Sequence, residues 1–184
     1  NGDAVTLNRA DNLHPALEVL GLGGSQPVEL DRFAEVARVA STDGARPILT
    51  ALAILEQGQT LAATDSYRLR SAELGAGNTI TGPEGIPAPD SLLPAAVVIA
   101  AARFSADGHL SLGADRYRIT AGHALTISGR LIGGDFPNFR QLFPANPDRV
   151  SLDAVELGAV IKRITAAAKA SGHKSDTVPA VLRF

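Results

Sequence analysis

Cysteine and methionine are both absent from the 184-residue sequence, and aromatic residues make up only 4% of it. Without cysteine, disulfide bonds and thiolate metal sites are excluded. This absence fits a reducing compartment, and we expect a cytoplasmic protein. Because a complete reading frame begins with methionine, we expect the chain to be an internal part of a longer protein.

Long apolar runs and a large excess of one charge are absent as well. The longest apolar run, residues 92–102, is interrupted by Pro94 and is much shorter than the roughly 20 residues that cross a bilayer. The formal net charge of −2 argues against broad neutralisation of nucleic-acid phosphates, although a local basic contact is compatible with it. With 45% hydrophobic and 20% charged residues, the sequence predicts a globular chain with one complete domain and part of a second.

The first part of the sequence predicts a linker, a helix and three strands. The segment GLGGSQP at residues 21–27 is typical of a linker, which puts a domain boundary near Ser25. Asp31 is expected to cap the helix that follows. The predicted apolar face of this helix consists of Phe33, Val36, Ala37 and Ala40. Strands are predicted at residues 47–55, 60–64 and 67–74, the first two forming a hairpin.

The next part predicts a second helix and an antiparallel meander. After an extended loop at residues 83–89, Asp90 or Ser91 is expected to cap the helix, with Pro94 tolerated in its first turn. Beyond Phe104, short strands are predicted between turns at residues 107–108, 114–115 and 121–122. Helices alternating with antiparallel strands indicate an α+β fold.

The opening of the domain recurs about one domain length later. The segment VELDRFAEVARVA from Val28 resembles VSLDAVELGAVIKRITAAA from Val150. An apolar face continues through the second copy at Leu157, Ile161, Ile164 and Ala168. An apolar strand is predicted after each helix, at residues 47–55 and 178–184. This repetition indicates tandem copies of one antiparallel α+β unit.

Catalytic and cofactor motifs are not supported by the spacing of the candidate residues. The four histidines, His14, His109, His123 and His173, are scattered without an i, i+4 pair, so we interpret them as surface residues rather than metal ligands. Serine never occurs in a G-x-S-x-G elbow. The segments GLGGSQ and SGHKSD both depart from the spacing of phosphate-binding loops. We therefore expect a non-enzymatic protein with no cofactor or metal.

Two segments resemble signature stretches of the bacterial DNA sliding clamp, the beta subunit of the replicative DNA polymerase III holoenzyme. They are AATDSYRLRSAEL at residues 62–74 and LIGGDFPNFRQLFP at residues 131–144. The segment RPIL at residues 46–49 resembles the strand that precedes the first signature in this family, and the repeat at Val150 falls where its third domain begins. The resemblance covers nearly the whole chain.

The resemblance implies a DNA-clamp fold, with antiparallel sheets and two helices in each repeated domain. Residues 1–24 would be the C-terminal tail of the first domain, 25–147 the complete middle domain and 148–184 the truncated start of the third. Two subunits of the full protein would form a ring around duplex DNA without reading its sequence. The ring would act as a processivity factor, tethering polymerase, clamp loader and repair proteins through short peptides.

The resemblance also implies a peptide-binding groove. The residues that match groove-lining positions are Leu49, Thr64, Ser66, Tyr67, Arg68, Leu69, Pro137, Gln141 and Leu142. Ordinary packing is the alternative interpretation, above all for the three leucines. Ser66 replaces a common glycine and Gln141 an often basic residue, which changes the expected peptide preference. Phe136 and Phe139 flank Pro137, and we expect at least one of them to be structural.

Cationic residues on the predicted helices are candidates for the DNA-facing pore. They are Arg32, Arg38, Lys162, Arg163 and Lys169, and a solvated helix face is the alternative interpretation. Asp90 and Ser91 stand where many family members carry basic residues, and the second helix is almost uncharged until Arg103. A divergent or phage-type clamp paralogue, acting as a protein-binding module outside the main replisome, is therefore the alternative function.

Overall fold

The computed structural model describes residues 6–8, 21–75, 77–143 and 151–172, the first of these ranges by its backbone alone. The chain divides into two compact units, Asn1–Phe139 and Arg140–Phe184. Within the described residues, the helices and strands of the first unit are β1 (Thr6–Asn8), β2 (Gln26–Glu29), α1 (Leu30–Ala37), β3 (Ala51–Leu55), β4 (Thr60–Thr64), β5 (Leu69–Glu73), β6 (Ser91–Pro94), α2 (Ala95–Ala102), β7 (Asp107–Leu112), β8 (Arg116–Ala121) and β9 (Leu125–Arg130). The pairs that these strands form are antiparallel, which confirms the α+β class.

The first unit is built from two halves with the same order of elements. One half runs from β2 through α1 to β3, β4 and β5, and the other from β6 through α2 to β7, β8 and β9. The two sheets have the strand orders β1-β9-β8-β7-β2 and β5-β4-β3-β6. The first strand of each half therefore pairs with the sheet of the other half, so neither half has a complete sheet of its own.

The main core lies where both helices pack on the inner faces of the two sheets. Helix α1 buries Phe33 and Val36, and helix α2 buries Val98. From β3, Leu52 and Ile54 point into this core. The helical spacing predicted from the sequence is confirmed for Phe33, Val36 and Ala37, which are buried on α1. It is wrong for Ala40, which lies beyond the end of the helix at Ala37 and is half-buried.

A second, smaller core covers the opposite face of the four-stranded sheet. Ala51, Ala53 and Leu55 of β3 belong to it, so β3 is buried on both faces and reads as a continuous apolar run. Phe139 is 5% exposed in this cluster, and its ring meets that of Phe136 edge to face, with centroids 6.3 Å apart. The expectation that one of these two phenylalanines is structural is confirmed for Phe139.

The predicted start of the second helix is wrong. Residues Ser91–Pro94 form strand β6 against β3, and α2 begins only at Ala95. Leu93 joins the main core and Leu92 the second one, so burial on both sides of the sheet favours a strand here over a helical turn. The Asp90 carboxylate accepts a hydrogen bond from the Glu56 N–H at 3.0 Å instead of capping the helix.

Three other local predictions also need correction. The segment Pro47–Thr50 is a 3₁₀ turn before β3 rather than part of the strand. Asp31 lies in the first turn of α1, whose N-cap position is Glu29, and no side chain caps this helix. The 107–108 pair opens β7 rather than a turn. Gly108 is required by packing, because a Cβ there would clash with the Thr120 backbone carbonyl oxygen and would also lie 2.5 Å from Leu30 Cδ1.

The second unit contains helix α3 (Ala154–Ala170). Asp153 caps this helix, because its carboxylate accepts hydrogen bonds from the N–H groups of Val155 and Glu156 at 2.9 and 2.8 Å. Ile161 and Ile164 are 48% and 43% exposed. The strand predicted at residues 178–184 lies outside the described residues. In the part of the chain that is described, the helices are too short or too polar to span a membrane.

Candidate functional site

The loop between β4 and β5 carries most of the predicted groove residues, and it is held by hydrogen bonds of its own side chains. Thr64 Oγ1 donates to the Arg68 carbonyl at 2.7 Å and accepts from the Ser66 N–H at 3.1 Å. Asp65 Oδ1 accepts from the N–H groups of Tyr67 and Arg68 at 2.9 and 2.8 Å. An aspartate that bonds the backbone two and three residues ahead is the usual brace of a tight turn.

The Asp65 carboxylate also pairs with the guanidinium of Arg68. Asp65 Oδ2 accepts from Arg68 Nε at 3.0 Å and from Nη2 at 2.8 Å, a two-pronged geometry. The side-chain hydrogen bond from Arg68, followed by the backbone bonds from Arg68 and Tyr67, lowers the pKa of Asp65 from 3.8 to about 2. The Asp65 carboxylate is therefore ionised at neutral pH and keeps its pairing with Arg68.

Two further features define the tip of this loop. Ser66 has φ of 81°, in the left-handed region that favours glycine. Its hydroxyl accepts a hydrogen bond from Arg46 Nη1 at 3.3 Å, and Arg46 also lies 3.5 Å from Asp43. Tyr67 is 92% exposed, the largest exposure among the apolar and aromatic side chains of the described part of the chain. The loop thus presents one aromatic ring on a braced backbone.

The remaining predicted groove residues of the first unit lie near this loop or on the segment that covers the second core. Leu49 lies in the 3₁₀ turn Pro47–Thr50, whose preceding residue is Arg46. Leu69 is half-buried against the second core. Pro137 is exposed and lies between Phe136 and Phe139, which pack on that core. The Arg46–Ser66 hydrogen bond therefore links the turn that carries Leu49 to the loop that carries Tyr67.

Gln141 and Leu142 belong to the second unit and are both exposed, Leu142 by 69%. They lie in the 3₁₀ turn Phe139–Leu142. The structure groups the residues from Thr64 to Leu69 in one loop. The sequence reasoning missed Asp65 and Arg46, although the Thr-Asp step before a turn is a signal for the former.

The predicted pore cations have different environments. Arg32 donates from Nη2 to the Glu73 carbonyl, and the neighbouring Glu35 pairs with Arg70, so both of these α1 side chains reach β5. Arg38 follows the last residue of α1 and is exposed. On α3, the side chains of Lys162, Arg163 and Lys169 are all exposed.

Helix α2 contributes no charged side chain over its eight residues, and Arg103 is the first charge after it. In the described ranges, no cluster of three or more histidine or carboxylate side chains could hold a metal ion.

No family model matches the sequence. The chain is 34% identical over 148 residues to the Beta sliding clamp homolog GriR of Streptomyces muensis, covering 74% of this chain and 38% of that protein. Among solved structures, it is similar to the DNA polymerase III beta chain of Streptococcus pneumoniae, with a TM-score of 0.64, 21% identity and coverage of 86% of this chain and 44% of that one. A DNA polymerase sliding clamp from Caulobacter crescentus has a TM-score of 0.59, with 26% identity over 78% of this chain and 41% of the other. The chain thus spans less than half the length of each of these relatives.

Proposed function

We propose that this chain, a relative of the bacterial beta sliding clamps in sequence and in fold, is part of a ring that encircles duplex DNA and tethers other proteins to it. The work of such a ring is mechanical. A partner that is bound to an encircling ring stays near the DNA at high effective concentration, and no bond is made or broken. We therefore propose a non-enzymatic processivity factor that acts in the cytoplasm.

The proposed division of the chain follows the repeated architecture. Residues 1–24 would end a first clamp domain, 25–147 would form the middle domain and 148–184 would begin a third. Two observations support this division. Both halves of the first unit, from β2 to β9, lie inside the proposed middle domain. Helix α3, which is capped by Asp153, is the first helix of the proposed third domain, as α1 is the first helix of the middle domain.

The β4–β5 loop is the observation that carries the proposed partner binding. Its backbone is fixed by Thr64 and Asp65, so little conformational entropy remains to be lost when a partner docks. Tyr67 and the half-buried Leu69, two residues apart in the sequence, offer an aromatic and an aliphatic contact. Exposed aromatic rings of this kind often supply a large share of the binding energy in an interface. The proposed occupant is an extended apolar peptide of the Gln-Leu-x-Leu-Phe type.

A direct test is fluorescence anisotropy of such a labelled peptide, titrated with a full-length protein that contains this chain. We expect saturable binding in the micromolar range, weakened about tenfold or more by Tyr67→Ala. Phe104→Ala is the matched control, because Phe104 is also an exposed aromatic residue, at 68%, but lies outside the loop. Equal effects of the two substitutions, or no binding by the folded protein, would refute the proposed groove.

A second candidate function is supported by the charges of the helices. Arg32 is bonded to a backbone carbonyl, α2 is uncharged and Glu35 offsets Arg70. Helices α1 and α2 themselves thus offer few cations to phosphate, which favours a divergent clamp that binds proteins outside the main replisome. Both candidates predict peptide binding, but only the replication clamp must stay topologically linked to DNA.

A further inference from the structure

A cavity of about 500 Å³ lies in the first unit, beside the start of α1 and the paired ends of β2 and β7. None of the predicted groove residues lines it, and of the predicted pore residues only Arg32 does. Cavities that hold small ligands are commonly about 300–1,000 Å³ in volume, so this one is large enough for a ligand.

The floor of this cavity is apolar. Val28 and Phe33 line it from β2 and α1, and Leu74 and Ile80 line it from the segment after β5. These side chains belong to the main core and are each at most 9% exposed, so the floor is fixed by packing. An apolar group entering the cavity would exchange water for a preformed hydrocarbon surface.

The rim carries two carboxylates with the same charge directly opposite each other. Glu29 of β2 and Asp107 of β7 are register partners across the antiparallel pair, and both line the cavity. Like charges at such positions destabilise a sheet. Within the described ranges, no cationic side chain forms an ion pair with either carboxylate. The helix dipole accounts for Glu29, at the N-cap of α1, but not for Asp107.

The other polar groups at the rim offset this pair only in part. Arg32 also lines the cavity and carries one positive charge against the two carboxylates, while its Nη2 donates to the Glu73 backbone carbonyl. The remaining polar side chains that the cavity contacts are Asn78, Ser105, His109 and His123. A ligand that places a cation between Glu29 and Asp107 would therefore remove a repulsion that the chain itself leaves in place.

We propose that this cavity binds an amphipathic amine, with its apolar body on the Val28 and Phe33 floor and its ammonium between Glu29 and Asp107. The proposal is independent of the clamp function, because it uses neither the β4–β5 loop nor the predicted peptide groove. An amine of this class has an apolar part for the floor and a positive charge, and the rim holds two carboxylates against the single cation Arg32.

The test uses three probes that share the same apolar body and differ in charge: 4-phenylbutylamine is a cation, 4-phenylbutanol is neutral and 4-phenylbutyrate is an anion. Each is titrated into the isotopically labelled full chain, and binding is followed by the NMR shifts of cavity-lining residues. We expect the amine to bind about threefold to tenfold more tightly than the alcohol, and the alcohol more tightly than the acid.

The double substitution Glu29→Gln with Asp107→Asn removes both carboxylates but leaves Arg32, so the amine should no longer bind more tightly than the alcohol or the acid. Asp31→Asn is the matched control, because Asp31 is an exposed carboxylate on the same helix that does not line the cavity. The Asp31→Asn variant should bind the three probes in the same order of affinity as the wild type. Equal affinities in the wild type, tightest binding of the acid, or no shifts at the cavity with any probe would overturn the proposal. None of these results would affect peptide binding at Tyr67.

Discussion

Ser66 and Arg46 are twenty residues apart in the sequence, yet the Ser66 hydroxyl accepts a hydrogen bond from Arg46 Nη1 at 3.3 Å. This contact lies at the one position of the β4–β5 loop with a left-handed backbone, φ 81°. It joins the loop that presents Tyr67 to the residue before the 3₁₀ turn Pro47–Thr50.

Substitution of Ser66 should show how much strain the loop carries. Ser66→Val should lower the free energy of unfolding by about 2 kcal/mol, because a β-branched residue is poorly accommodated at positive φ. Ser66→Gly should leave stability almost unchanged, because glycine adopts this conformation freely. Denaturant unfolding of the two variants and the wild type measures the difference. Equal stability of the valine and glycine variants would show that the left-handed backbone is not maintained in solution.

Stability at acidic pH should depend on Asp65. Its pKa is depressed from 3.8 to about 2 in the folded protein, so its contribution is fully present above about pH 4 and diminishes as the pH falls towards 2. Asp65→Asn should therefore be less stable than the wild type at neutral pH, with the gap closing as the pH falls from about 4 to about 2. Thermal unfolding across this range is the measurement, with Asp43→Asn as an exposed-carboxylate control. A gap that is independent of pH would contradict the Asp65–Arg68 brace.

Glycine at position 108 should be essential for packing. An added Cβ would meet Leu30 Cδ1 at 2.5 Å as well as the Thr120 carbonyl, so Gly108→Ala should destabilise the protein by about 2–3 kcal/mol. Gly44→Ala is the control, because a Cβ there has no neighbour within 4 Å. Comparable unfolding midpoints for the two variants would mean that α1 does not pack against β7 as described.

Much of the fold could be predicted because its signals are local. The face of α1 and the Asp153 cap of α3 follow from residue spacing within a few turns. The strand at Ser91–Pro94 could not be predicted in this way, because its conformation depends on pairing with β3, about forty residues earlier. The Asp-Gly pair at 107–108 was likewise predicted to be a turn. The close contact that requires glycine there involves Leu30, which is distant along the chain and therefore not visible in the local sequence.

For the candidate sites, too, contacts within one short segment were predictable and contacts between distant segments were not. The residues of the β4–β5 loop form one short motif, so their proximity was predictable from the sequence. The contact between Arg46 and Ser66 was not, because it depends on how two separate turns meet. The cavity beside Glu29 and Asp107 is assembled from several separate segments, and the sequence offers no periodic signal for it.

DNA affinity should depend on the exposed cations of α3 more than on Arg32. In the full-length protein, which we propose forms a ring, replacing Lys162, Arg163 and Lys169 by alanine should lower the slope of log affinity against log salt by about 1 for each phosphate that is no longer neutralised. Arg32→Ala should change the slope less, because its guanidinium is bonded to Glu73. Arg130→Ala, an exposed cation on β9, is the control. A larger change in the salt slope with Arg32→Ala than with the α3 substitutions would show that Arg32, rather than the cations of α3, contacts the phosphates.

Topological retention tests directly whether the full-length protein encircles DNA, as we propose. The protein is loaded onto nicked circular DNA by a clamp loader, washed with high salt to remove electrostatically bound molecules, and then treated with a nuclease that linearises the circle. We expect the protein to stay on the circle through the wash and to leave after linearisation, because a ring can slide off an end. Dissociation in the wash, or retention on the linear DNA equal to that on the circle, would contradict it.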